Sequence, residues 1–217
     1  MRPVNVNFIK KVLDYAFTHS VEELEVVIPY IYNCCDWPIY LPTSCKTLTS
    51  LKLKVSPFTG PILGSLKNLR VLYLDGALIT DLEPFLGFPV LERLTLICCN
   101  INTEGETLSV HAHNLSYLTI TNCWSFNYLK LTTPKLRFFE YEGYDFPQFR
   151  TYEGLHVLDT IVLDFGQYGD MHQEGNFEGL LSLFCAIRTA KSIRLSSSVV
   201  HILSLFQDEL VKRSSPF

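Results

Sequence analysis

Long apolar runs are missing from this sequence. Its longest apolar stretches, Val26 to Ile31 among them, are short and interrupted, so no membrane-spanning segment and no membrane partner are expected. The residues after Met1 lack an apolar core followed by a small-residue cleavage site, which argues against a secretory leader. An excess of one charge sign is missing too. Lys and Arg number 18 against 22 Asp and Glu, a net charge of −4 that gives no field to draw in nucleic acid. Paired cysteine spacings are absent. Seven Cys, an odd number, suit reduced thiols in the cytoplasm or nucleus better than a disulfide framework. The asparagine of the formal glycosylation sequon at Asn114 is therefore expected to stay unmodified. Catalytic signatures are wanting as well: no G-x-x-x-x-G-K-[S/T], G-x-S-x-G or H-E-x-x-H occurs. Asp164-Phe165-Gly166 spells a kinase magnesium triplet without its companion motifs, and reads as a strand end and turn. Cys98, Cys99, His111 and His113 do not have zinc-site spacing. These absences predict a non-enzymatic chain with no metal and no cofactor.

What is present is repetition. Leu91-Glu92-Arg93-Leu94-Thr95-Leu96-Ile97-Cys98-Cys99-Asn100-Ile101 fits the pattern L-x-x-L-x-L-x-x-C-x-I. Leu94 and Leu96 lie two apart and point to one face of a strand. Leu91 closes the turn leading into it, and Cys99 is a small side chain able to bond the loop backbone. With Leu94 as phase marker, equivalents fall at Leu51, Leu72, Leu118, Phe139 and Ile161, at steps of 21, 22, 24, 21 and 22 residues. Weaker copies sit at Leu24 and Ile193, giving about eight repeats. This period predicts an α/β leucine-rich-repeat solenoid built on a curved parallel sheet. A composition 47% hydrophobic can bury one continuous core along such a stack.

The unbroken period predicts a single domain over 1–217. Asn5 to His19 carries Phe8, Ile9, Val12, Leu13, Ala16 and Phe17 at helical spacing, so residues 1–20 should form an N-terminal capping helix. Repeats then occupy 21–198, with a packed loop over Asn33 to Thr43. Segments such as Phe85 to Pro89 allow one helical turn between repeats and no more. The longer gap after Ile161 opens with a polar loop, Gly166 to Gly175. Phe177, Leu180, Leu181, Phe184 and Ile187 then predict a true helix. Val199, Ile202, Leu203, Phe206 and Leu210 predict a last helix within 199–217, ending in a frayed tail.

Residues alternating with the buried set should line the concave face in three columns. Tyr73, Tyr117 and Phe138 place aromatics there, and such residues often anchor interfaces. Lys52, Lys54 and Arg93 lie toward one end, whereas Glu140, Glu142 and Asp164 lie toward the other. The nine residues are a candidate site for a protein or peptide partner of complementary polarity, acidic near the early repeats and basic near the late ones. Alternatively, the charges are a solvated face and the aromatics pack across strands. A second function class is a small-molecule receptor, with its pocket near Gly166 to Gly175. A truncated repeat protein or a piece of a plant immune-type receptor are further readings.

The order of elements, with Cys45-Lys46-Thr47-Leu48-Thr49-Ser50-Leu51-Lys52-Leu53 and Phe88-Pro89-Val90-Leu91-Glu92-Arg93-Leu94, resembles the leucine-rich-repeat portion of plant F-box/LRR proteins. Those carrying a C-terminal FBD region are included, and the resemblance spans roughly residues 4–210. It implies the substrate-recognition part of an SCF-type ubiquitin ligase, whose separate F-box grips a Skp1-like adaptor. The residues ahead of the repeats hold no F-box pattern, and no clear FBD region follows them. A complex of this stretch with a Skp1-like adaptor is therefore not expected.

Overall fold

The computed structural model describes residues 11–12, 14–16, 18–28, 37–38, 45–59, 66–150, 155–165, 174–186 and 190–208. The start of the capping helix, most of the Asn33–Thr43 and Gly166–Gly175 loops, Ile187 and the C-terminal tail lie outside these. The first helix, α1, is helical at the described residues between 11 and 18, with Ala16 buried. Strands follow as β1 (Glu23–Ile28), β2 (Trp37–Pro38), β3 (Ser50–Thr59), β4 (Val71–Ile79), β5 (Arg93–Ile97), β6 (Asn100–Ile101) and β7 (Thr107–His111). Next come β8 (Tyr117–Thr121), β9 (Tyr128–Thr132), β10 (Phe138–Gly143), β11 (Gln148–Phe149) and β12 (Thr160–Phe165). Helix α2 (Glu174–Ala186), β13 (Ser192–Leu195) and α3 (Ser197–Leu205) complete the order.

Each central repeat begins with the same turn. The amide of Leu69 donates to the carbonyl of Leu66, and equivalent bonds join Leu91 to Phe88, Leu115 to Ala112, Leu136 to Thr133 and Leu158 to Leu155. The donor leucine is buried in every case, so it closes the turn from the core side as its spacing predicts. Two amides then converge on one carbonyl of the preceding repeat. Arg70 and Val71 donate to Thr49, Glu92 and Arg93 to Arg70, and Ser116 and Tyr117 to Glu92, at 2.8–3.1 Å. The same double bond recurs at Glu22, Ser116, Arg137 and Asp159, so it spans every junction of the large sheet.

That sheet runs β1-β3-β4-β5-β8-β10-β12-β13, all parallel and in sequence order. Leu24, Leu51, Leu72, Leu94, Leu118, Phe139, Ile161 and Ile193 are successive register partners. From Leu51 to Ile161 each is fully buried, and full burial of such a side chain stabilises by roughly 1.5–3 kcal/mol. Ile193 is 46% exposed because β13 is the last strand of the stack. The chain then passes through a left-handed residue, at Gly76 within β4 and at Cys98 and Asn122 just after β5 and β8, with φ of 80°, 48° and 51°. Cys99 then turns inward, and its thiol donates to the carbonyls of Ile97 and Leu74 at 3.4 and 3.6 Å. This is the loop-bonding role its place in the repeat predicts.

One feature departs from expectation. Strands β7, β9 and β11 form a second parallel sheet in the order β11-β9-β7, where spacing allowed only a single turn between repeats. Its core residues alternate as Leu108 and Val110 on β7 and Leu129 and Leu131 on β9. Phe139 of β10 meets Phe149 of β11 edge-on, with centroids 5.7 Å apart, so the core lies between the two sheets. The gap between β4 and β5 does hold only turns, with Phe85 and Phe88 buried.

Helix α2 docks on β11 and buries Phe177, Gly179, Leu180 and Leu183, a stripe shifted from the one read through Leu181 and Phe184, which are half-buried. Ser182 Oγ accepts from the Phe149 amide at 2.9 Å and donates to the Gly179 carbonyl at 2.7 Å, satisfying a strand-edge donor. Helix α3 is capped by Ser196, buries Val199 and Ile202, and joins α2 through stacked Phe206 and Phe177, 4.3 Å apart. A Cβ at Gly179 would lie 2.6 Å from the Phe146 carbonyl oxygen and 3.0 Å from that of Pro147. Gly179→Ala should therefore force α2 off the sheet and cost about 1–3 kcal/mol, read as a lower denaturation midpoint. An unchanged midpoint would mean that the helix does not seat at this distance.

Candidate protein-recognition face

All nine candidate residues lie on the open face of the large sheet, alternating with the buried set. The structure sorts them into pairs. Lys52 Nζ is 2.8 Å from Glu25 Oε1 and 5.1 Å from the centre of the Tyr73 ring. Lys54 Nζ is 3.1 Å from Asp75 Oδ2. Both ammonium groups are held above the usual lysine range, Lys52 chiefly by its hydrogen bond to Glu25 and Lys54 by its bond to Asp75. The early basic charge is thus matched by carboxylates on neighbouring strands. Exposed pairs of this kind contribute little to stability, of order 0–1 kcal/mol, but they cancel the field a partner would meet.

Further along, Arg93 lies over the Tyr117 ring at 4.2 Å, and Tyr117 stands 5.9 Å from Phe138. Cation and rings form a continuous row across β5, β8 and β10, the arrangement expected of a cation–π contact beside an aromatic pair. Tyr117 keeps 40% of its surface exposed. Beside this row stand the acids. Glu140 accepts a bond from the Thr119 hydroxyl at 3.3 Å, and Glu142 from the Asn122 amide at 3.4 Å. Glu142 and Asp164 are register neighbours on β10 and β12. Among the described residues, no salt bridge engages Glu140, Glu142 or Asp164. The lysines of β3 sit four strands away, roughly 19 Å at the usual strand spacing. The two charged ends are therefore not brought together: Lys52 and Lys54 are paired, whereas Arg93 and the three carboxylates are in no ion pair among the described residues.

Two further features of this region escape a column-by-column reading of strand residues. Trp124 and Tyr144 are 48% and 44% exposed just beyond the C-terminal ends of β8 and β10. Their signal is their place past the strand, outside the three columns. The second is the row before each strand, where Arg70 pairs with Glu92 at 2.6 Å and Asp159 bridges Arg137 and Lys191. Asn114, the sequon residue, is engaged there too: its amide donates to the Pro89 carbonyl and its oxygen accepts from Lys135, both at 2.7 Å. Extending the alignment by two residues would expose that row.

Cys99 and Cys123 are buried neighbours, and the Cys123 thiol is pushed well above its usual value by its contact with Cys99 and by burial. His111 and His113 face each other at 4.9 Å. Among the described residues, no group of three or more His, Cys, Asp or Glu is placed to hold a metal. No described helix is long and apolar enough to cross a membrane.

A family model described as At1g61320/AtMIF1, LRR domain, matches residues 2–172. Over 255 aligned positions the chain is 24% identical to the putative F-box/FBD/LRR-repeat protein At4g03220 of Arabidopsis thaliana, covering 99% of this chain and 50% of that protein. The chain thus spans about half the length of the curated relative it matches. No solved structure matches it.

The Asp159 bridge makes a pH prediction. Hydrogen bonds from Lys191 first, and Arg137 second, hold its carboxyl below the usual carboxylate range. A depressed folded-state value means that the stability this group contributes is present above its unfolded pKa and fades as pH falls through the folded one. In an NMR titration the Asp159 midpoint should lie below that of a free aspartate, and Lys191→Ala should raise it. A midpoint indifferent to Lys191 would show that the bridge is not populated.

Proposed function

The chain belongs to the At1g61320/AtMIF1 leucine-rich-repeat domain family, and from this premise we propose that the open face of its late repeats binds a basic segment of a partner protein. A repeat domain of this kind is a protein-interaction module, and the finer reading concerns which surface acts and on what. One observation carries it. Glu140, Glu142 and Asp164 stand on two adjacent strands without a cation, beside an aromatic row, while the early lysines are already paired. Unpaired carboxylates next to exposed rings suit Lys or Arg side chains, whose charge meets the acids and whose stems or guanidinium planes lie on the rings. Hot spots concentrate in such aromatic centres. An acidic partner of the early repeats would have to displace Glu25 and Asp75 from Lys52 and Lys54, with Arg93 the early cation outside an ion pair among the described residues.

The relative's name couples repeats of this kind to an F-box and an FBD region. In line with that, the process proposed is substrate recognition for an SCF-type ubiquitin ligase in the cytoplasm or nucleus, with attachment to the ligase supplied by residues other than these. The catalytic step would then belong to the ligase's other subunits, and this chain needs no cofactor. Reversing charge with Glu140→Lys and Glu142→Lys should abolish capture of a basic partner and leave the melting temperature nearly unchanged, since both side chains lie on the open face. Unchanged capture would refute the surface assignment. The ligase link is tested by size exclusion of residues 1–217 with a Skp1-like adaptor. Separate elution is expected; co-elution would place an adaptor contact on the repeats themselves.

A further inference from the structure

A cleft of about 550 Å³ opens at the strand-start edge of the late repeats. It lies some five residues along the strand direction from Asp164, roughly 16 Å at the usual rise, so it is distinct from the acidic face. Its charge opposes that of the chain as a whole. Among the described residues, Lys135, Arg137 and Lys191 line it against one carboxylate, that of Asp159, a net +2 in a protein of net −4. His156 stands in the same wall.

Asp159 holds two of these cations in place without neutralising both. Its Oδ2 accepts from Arg137 Nε and Nη2 at 2.7 Å, and its Oδ1 from Lys191 Nζ at 2.6 Å. Lys135 spends one donor on the neutral Asn114 side chain. Among the described residues, the remaining guanidinium donors and two protons on each ammonium have no protein acceptor. The same edge treats cations differently in an earlier repeat, where Arg70 and Glu92 pair one to one. Apolar surface completes the cleft, with Val157 47% exposed beside buried Leu158.

We propose that this cleft binds a phosphate monoester dianion, presented as a phosphorylated serine or threonine on a peptide. A pre-oriented guanidinium with two flanking ammonium groups suits the three terminal oxygens of a phosphomonoester, and Arg supplies the planar fork. The leftover positive charge repays desolvation of a dianion better than that of a single carboxylate. The volume exceeds that of the anion alone and leaves Val157 to contact a neighbouring peptide residue. A nucleic acid would need a basic track along its backbone, whereas these cations form a local cluster in a chain of net charge −4.

The test uses fluorescence polarisation with a labelled random-sequence peptide pool carrying one central phosphoserine, against the same pool carrying serine. The phosphorylated pool should bind more tightly by roughly tenfold or more, the value of one charge-assisted hydrogen bond. Arg137→Ala and Lys191→Ala should each erase that preference, and Arg70→Ala should keep it. The Arg137 and Lys191 side chains are 65% and 78% exposed, so both variants should fold. Lys135→Ala, which breaks no ion pair, gives the same readout if either does not. Inorganic phosphate should compete with the phosphorylated pool. Equal binding of both pools, or a preference that survives these substitutions, overturns the proposal. So does binding only to vesicles containing phosphatidylinositol 4-phosphate, which would reassign the cleft to a membrane headgroup.

Discussion

The joint on which this structure depends is the carbonyl before each strand that receives two successive amides from the next repeat. Buried backbone groups must find partners, and here the partner fixes the register as well. Once the Arg70 carbonyl holds Glu92 and Arg93, Leu72 is brought opposite Leu94 on β5, and the choice passes down the stack. A slip of one residue would turn every apolar side chain outward and every open-face side chain inward. The buried turn leucines sit three residues before each phase marker and prevent that slip from the core side. Backbone and side chains thus specify the same pairing, the consistency that gives a repeat sequence one structure.

The ends of the stack show what happens where a neighbour is lacking. Leu24 and Val26 of β1 are only half-buried, and Ile193 of β13 is more exposed still. The second sheet ends differently. Its β11 edge meets α2, where Ser182 takes the Phe149 amide and Gly179 lets the helix come within reach of the Phe146 and Pro147 carbonyls. A helix with a larger residue at that turn would stand off, and the edge amide would lose its acceptor. Covering an edge with a helix is a recurrent answer to an exposed strand, and one glycine makes it possible here.

The large sheet was legible because its signal repeats. Leu51, Leu72, Leu94 and Leu118 recur at a period set by the stack itself, and the structure pairs them in the order in which they were read. The second sheet carries an equally regular alternation in Leu108 and Val110 and in Leu129 and Leu131. Those strands occur in only some repeats, and the steps between repeats vary from 21 to 24 residues. Without a constant phase, two short alternating segments look like loop. The charges on the open face were not paired from the sequence. Glu25 belongs to the same column as Lys52, 27 residues earlier, on a first strand whose match to the repeat is weak. A column read from β3 onward misses the carboxylate that cancels its lysine. Pairing across strands is visible only when the weakest repeat is aligned with the strongest.

The same geometry explains how β10 and β12 carry two opposed chemistries. Glu140, Glu142 and Asp164 occupy open-face positions within the strands, whereas Arg137, Asp159 and Lys191 occupy the row just before them. In a solenoid each such row is a separate line of side chains, fixed in spacing by the backbone and free in identity because the core does not use it. Opposite charges at this separation are largely screened from one another at physiological ionic strength, where the Debye length is about 8 Å. The acids therefore do not quench the cleft, and the cleft does not attract the acids. A peptide running along one repeat, basic over the strand and phosphorylated at its start, would match both rows at once. The strand rise fixes the distance between the two contacts, and that spacing constrains such a ligand more tightly than either charge alone.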